Sequence, residues 1–147
     1  MSAVRSKYYV GDIHGRADLL ETLLSGIEAH ASACSSTPEI VFLGDLTDRG
    51  PDSVGVLNLV HAALQKWEGS KLILGNHDEW FLETAKNVEY EYAESWLMNG
   101  GIQTIMSYCD GDVPADAMIQ IREKYPNHIR MLQDASRYDT NGLFIGV

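Results

Sequence analysis

Three short stretches hold the residue types that do chemistry: Gly11-Asp12-Ile13-His14-Gly15, Gly44-Asp45-Leu46-Thr47-Asp48-Arg49-Gly50 and Gly75-Asn76-His77-Asp78. Carboxylates, imidazoles and an amide carbonyl are hard-to-borderline donors suited to manganese, iron or zinc, and the lack of a cysteine cluster argues against a structural zinc. A carboxylate such as Asp45 can bridge two metal ions. Two ions roughly 3.5–4 Å apart clamp a phosphoryl group and lower the pKa of bound water from about 15.7 toward about 7. An alkoxide leaving from that phosphoryl group needs a proton, which a histidine held by a carboxylate can supply. Arg49 can grip phosphate oxygens through two parallel hydrogen bonds. Taken alone, the segment Gly44–Gly50 reads equally well as an acidic turn; the other two stretches are what point it toward chemistry.

Such residues must be brought together by the elements between them. Each stretch follows a short apolar run: Tyr8-Tyr9-Val10, Glu39 to Leu43, and Lys71 to Leu74. Helical spacing of Leu19, Leu20, Leu23, Leu24 and Ile27 predicts a helix after the first run. Val54, Leu57, Val60 and Leu64 predict a second, begun near Pro51 and capped by Asp52 or Ser53. Strand, loop and helix in repeated order predict βαβ units around a mostly parallel sheet. In such sheets the ligand site lies beyond the carboxyl ends of the strands, where all three polar stretches fall. Residues from Trp80 to about Ser107 are helical in character with a break at Gly100-Gly101, followed by helices over Pro114 to Tyr125 and Pro126 to Gln133. Arg137 to Thr140 reads as extended, Asn141-Gly142 as a hairpin turn, and Leu143 to Val147 as a strand.

The chain has 147 residues, 45% hydrophobic and 22% charged, values typical of a globular domain, so one domain over 1–147 is expected. Eleven Lys and Arg against 21 Asp and Glu give a net charge of −10. That balance argues against a nucleic-acid partner, which needs clustered positive charge. Nothing approaches the apolar length of a membrane span, and no signal peptide is evident, so a cytoplasmic setting without a membrane partner is expected. Cys34 and Cys109, far apart, read as free thiols.

The three motifs, in this order and about 30 residues apart, resemble the phosphoprotein phosphatase family of calcineurin-like metallophosphoesterases, and the bacterial serine/threonine phosphatases among them. The resemblance covers residues 7 to about 80 most closely, and Trp96 to Gly101 more loosely. It implies an α/β sandwich, present in part, with a mixed, mostly parallel sheet flanked by helices. It implies two divalent metal ions, manganese first and iron or zinc otherwise. Asp12 and His14 would hold the first ion, Asp45 would bridge, and Asn76 would ligate the second. His77 would protonate the leaving group, Asp48 would orient it, and Arg49 with Asn76 would bind phosphate oxygens. The implied substrate is a phosphorylated protein or a small phosphoester, hydrolysed by hydroxide generated on the metals. Asp78, where protein phosphatases of the group carry Glu, points toward dinucleoside tetraphosphate hydrolases, a rival reading. Asp48 points back, because those enzymes commonly lack it. Thr47 stands where an apolar residue is usual.

The family completes its second metal site with two histidines and a further arginine from its C-terminal half, the first histidine following a strand like Leu143 to Val147. Asp45 and Asn76 alone are too few ligands for tight binding. The expectation is therefore an amino-terminal portion whose second site is incomplete and which is weakly active or inactive alone. A third reading is a non-catalytic binding module that associates with itself through the exposed C-terminal strand. Among the remaining candidates, His30 reads as a surface or capping residue, His128 as a loop or cap residue, His61 as a packing residue, and Trp67, Trp80 and Trp96 as core. Arg16 reads as an exposed residue at a helix start.

Overall fold

Strands β1 (Arg5–Val10), β2 (Thr37–Phe42) and β3 (Lys71–Leu72) form a parallel sheet in the order β1-β2-β3, with Tyr8 opposite Ile40, Val10 opposite Phe42, and Phe42 opposite Leu72. The computed structural model describes residues 4–140 and 145–146, with backbone alone at Thr140, Ile145 and Gly146. Helix α1 (Ala17–Ala33) crosses from β1 to β2, and α2 (Ser53–Lys66) crosses from β2 to β3. The two helices pack on each other and on β2.

Alternation along the strands sorts the two faces of the sheet. Val10, Ile40, Phe42 and Leu72 join Leu20, Leu24, Ile27, Val56, Leu57 and Val60 in the main core. Fully burying side chains of this size contributes roughly 1.5–3 kcal/mol each. On the opposite face, Lys7, Lys71 and Tyr9 converge on Asp139 of β4 (Asp139–Thr140), at 2.9, 2.6 and 3.1 Å. Strand β4 pairs antiparallel with β5 (Ile145–Gly146). That pairing accords with the expected hairpin, whose turn at Asn141-Gly142 lies outside the described residues, as do Leu143, Phe144 and Val147.

Several boundaries differ from the sequence reading. The third strand stops at Leu72. Ile73 instead bridges to Ser136, whose N–H donates to Leu72 O at 2.8 Å and whose carbonyl accepts from Leu74 N at 3.0 Å, so a later segment completes the edge. Helix α2 starts at Ser53, with Asp52 as its cap accepting from Gly55 N at 2.7 Å. Helix α3 (Asn76–Lys86) begins four residues before Trp80, so Asn76, His77 and Asp78 form its first turn and are not loop. The cause is local: the Asp78 carboxylate reaches back to the Gly75 N–H at 3.2 Å, satisfying a donor that a helix start leaves free.

After α3 come α4 (Ala93–Trp96), a widened turn over Leu97–Gly101, α5 (Ile102–Tyr108), α6 (Ala117–Lys124) and α7 (Pro126–Gln133). The expected break falls at Gly100, whose φ of +112° suits glycine. His128 is buried within α7, not in a loop or at a cap. Its ring lies against Tyr125, its Nδ1 is 2.8 Å from Tyr108 Oη, and its Nε2 is 2.9 Å from Asn58 Oδ1. Cys34 and Cys109 are free thiols. Among the described residues no helix is long and apolar enough to cross a membrane.

Candidate metal and phosphate site

The carboxyl ends of the three strands meet at one place, as parallel pairing requires. The first loop is laid directly on the second: Ile13 N and His14 N both donate to Asp45 O, at 3.1 and 2.9 Å, and Gly15 N donates to Leu46 O at 2.9 Å. The second loop is joined to the start of α3 by Asp78. Its Oδ1 accepts from Leu46 N at 2.9 Å and Thr47 N at 3.3 Å, while Oδ2 takes the Gly75 N–H. Burial pushes this carboxyl up to about 7, against the pull of those backbone donors. A Cβ on Gly75 would overlap Asp45, which explains a glycine at a helix start where φ is ordinary.

His14, Asp45, Asp48 and Arg49 all sit on left-handed backbone, with φ of 44°, 50°, 75° and 66°. Side chains there fan out from a tight turn instead of alternating along a strand. His14, Asp45 and His77 each bring a ligand atom within 4.8 Å of the others.

Both histidine tautomers follow from their partners. A guanidinium only donates. Arg49 Nη1 is 3.0 Å from His14 Nε2, and Nη2 is 3.1 Å from His77 Nε2, so both Nε2 atoms accept. The hydrogens are on Nδ1, donated to Thr47 O at 2.8 Å by His14 and to Asp48 Oδ2 at 2.7 Å by His77. A histidine whose second nitrogen is tied to a carbonyl is the usual supported form of a metal ligand.

The residues present fit a divalent ion. Two imidazole lone pairs and a carboxylate converge, and the space between the histidines holds a cationic group, the Arg49 guanidinium, in their company. His14 and Asp45 would hold such an ion, which when bound supplies Lewis acidity toward a phosphoryl oxygen and an acidified water. Beside that position lie the planar cation of Arg49 and the His77 imidazole, fixed from behind by Asp48.

Of the residues named from sequence, His14, Asp45, Asp48, Arg49 and His77 are brought together. Asp12 is exposed in the loop after β1 and does not join the close group; Asn76 is exposed at the first position of α3. Trp80 flanks the site, its ring 5.3 Å from that of His77. Trp96 is core, as read, but it also donates from Nε1 to both Asp48 oxygens, at 3.0 and 2.9 Å. Thr104, not singled out in the sequence, donates to Asp48 Oδ1 at 2.6 Å. Only its polar character on an otherwise buried helix face could have marked it.

A family model described as calcineurin-like phosphoesterase matches residues 8–141, and the chain belongs to that family. Among curated relatives it is similar to serine/threonine-protein phosphatase 1 of Salmonella typhimurium, 30% identical over 125 residues, covering 83% of this chain and 51% of the relative. It is also similar to the bis(5'-nucleosyl)-tetraphosphatase PrpE of Oceanobacillus iheyensis, 42% identical over 76 residues, covering 46% of this chain and 28% of that protein. A solved structure of a proposed diadenosine tetraphosphatase aligns at a TM-score of 0.43 with 27% identity, over 82% of this chain and 47% of that one. The chain thus spans about half the length of the Salmonella relative.

Proposed function

We propose that this chain forms the amino-terminal part of the catalytic site of a metal-dependent phosphomonoester hydrolase that acts on phosphorylated serine or threonine. The observation that carries the reading is the buried pair His77 Nδ1–Asp48 Oδ2, 2.7 Å apart, with the Arg49 guanidinium 3.1 Å from the opposite ring nitrogen. A serine or threonine leaves as a strongly basic alkoxide and must be protonated as the P–O bond breaks. A phosphoanhydride expels a phosphate, a far weaker base that needs no such help. A carboxylate buried behind the imidazole stabilises the imidazolium that would act as the proton donor. His14 and Asp45 would contribute to the metal centre, with Asp12 and Asn76 as further ligands, and manganese is the first ion to try.

A dinucleoside tetraphosphate hydrolase is the second reading, favoured by the higher identity to PrpE over a shorter stretch of 76 residues. The test uses the protein that carries this chain, with Mn²⁺, and compares a phosphoserine peptide, p-nitrophenyl phosphate and diadenosine tetraphosphate. The peptide is expected to be the better substrate. Asp48→Asn should slow the peptide by roughly 100-fold or more, within the range of general acid catalysis, and p-nitrophenyl phosphate, with its good leaving group, much less. Equal loss on both phosphomonoesters, or preference for the anhydride, refutes the proposal.

A further inference from the structure

One segment of the chain, with no residue in the metal cluster or on phosphate, makes three successive contacts with Asp48 and Arg49. Trp96, Gly100 and Thr104 are spaced four apart along α4, the widened turn and α5. Trp96 Nε1 donates to both carboxylate oxygens of Asp48. Gly100 O accepts from Arg49 N at 3.2 Å. Thr104 Oγ1 donates to Asp48 Oδ1 at 2.6 Å and accepts from Asp48 N at 2.9 Å, so one hydroxyl grips both ends of the same residue. With that hydrogen committed, the contact between Ser53 Oγ and Thr104 Oγ1, at 3.1 Å, is donated by Ser53.

The chain makes room for this arrangement. A Cβ on Gly101 would overlap the Trp96 indole, and one on Gly100 would crowd Arg49 at 2.7 Å from its backbone nitrogen. Trp96, Asp48 and Thr104 have no measurable exposure. A buried carboxylate must be satisfied by donors, and Asp48 has three: Trp96, Thr104 and His77. The first two fix the plane of the carboxylate, and that plane fixes where His77 Nδ1–H must point. The opposite nitrogen, Nε2, is thereby aimed at Arg49 and the open site.

We propose that Trp96 and Thr104 are positioning residues which act through Asp48 to hold the His77 imidazole in one tautomer and one orientation. The consequence for turnover rests on the reading of His77 as proton donor; the tautomer does not.

The test has two arms. In the first, ¹⁵N chemical shifts of the His77 ring are read in the metal-free chain at about pH 8.5, well above the ordinary histidine value of about 6.5. Wild type should show a single tautomer, protonated at Nδ1. Thr104→Val, which keeps the shape and deletes the hydroxyl, should populate the Nε2–H tautomer, and Thr104→Ser should restore the wild-type pattern. Replacing Trp96 with benzothienylalanine keeps the bicyclic ring and deletes only the N–H, so it decides the matter if Thr104→Val does not fold. In the second arm, turnover of a phosphoserine peptide by the protein that carries this chain should fall roughly tenfold, a fraction of what a general acid contributes. KM should stay within about twofold. Folded variants with the wild-type tautomer and wild-type turnover overturn the proposal, and so does a Thr104→Ser protein as impaired as Thr104→Val. If wild type turns over no phosphomonoester, the proposed function fails and the tautomer measurement alone decides the positioning role.

Discussion

Replacing His128 with Gln is expected to make the fold less sensitive to acid. The imidazole is 4% exposed. It accepts from Tyr108 Oη at 2.8 Å and donates from Nε2 to Asn58 Oδ1 at 2.9 Å, an arrangement that uses the neutral ring. Burial lowers its pKa from the ordinary 6.5 to about 4, with nearby His61 a smaller contribution in the same direction. Between those values the unfolded chain binds a proton that the folded chain refuses. The stabilisation from the neutral buried ring is therefore complete above about pH 6.5 and is lost as pH falls toward about 4. At about 1.4 kcal/mol per pH unit, the loss is about 3 kcal/mol, a large share of a typical folding free energy of about 5–15 kcal/mol. Gln offers one acceptor and an N–H₂ donor in place of the two ring nitrogens and does not titrate. Urea unfolding of both proteins, followed by far-UV circular dichroism from pH 7.5 to 4, isolates the effect, because every other titrating group is common to the two. The wild-type curve should descend about 3 kcal/mol further than the variant's. Parallel curves refute the reasoning.

Other perturbations reach the site and its scaffold. Gly75→Ala places a methyl group on Asp45 and should weaken Mn²⁺ binding by calorimetry roughly 10- to 100-fold, the usual cost of disturbing the surroundings of a ligand; unchanged affinity would show that Asp45 is not held from that side. Asp52→Ala removes the cap on Gly55 N and should destabilise the protein by about 1 kcal/mol in chemical unfolding, whereas an unaltered midpoint would count against the cap. Asp139 is held well below the usual carboxylate range by hydrogen bonds from Lys71 and Lys7. Its contribution is present above the ordinary value near 4 and is lost as pH falls below it. Asp139→Asn should therefore lower stability at pH 7 and flatten the loss below about pH 4; a variant that tracks wild type through that range contradicts the pairing.

The sheet was legible because its signal is local. Val10, Leu43 and Leu74 close short apolar runs, each followed at once by glycine and a metal-type ligand, and parallel pairing then forces the three loops together. The helix start at Asn76 was hidden because its deciding contact, Asp78 to Gly75 N–H, looks in sequence like any polar turn. Trp96 and Thr104 lie 48 and 56 residues from Asp48. Apolar periodicity places such residues in a core without saying which polar atom they meet there. His128 was misplaced for the same reason, since Tyr108 and Asn58 come from two other helices. Asp12 shares its motif with His14 but not its place in the close group. The left-handed φ at His14 turns that imidazole inward, and spacing alone carries no such information.

The four left-handed positions have one more consequence. For a residue with a Cβ, that conformation costs roughly 1–2 kcal/mol, a cost glycine escapes. At His14, Asp45, Asp48 and Arg49 the most comfortable backbone and the working side chain are therefore mutually exclusive. A laboratory selection for heat resistance that ignored catalysis would favour glycine at His14, Asp45 and Arg49, whereas at Asp48 the buried donors Trp96, Thr104 and His77 would be left without their acceptor. It would end with a sturdier protein stripped of an imidazole, a carboxylate and a guanidinium of the candidate site. Engineering this domain for endurance means leaving those residues alone and looking for gains in α1, α6 and the outer face of the sheet.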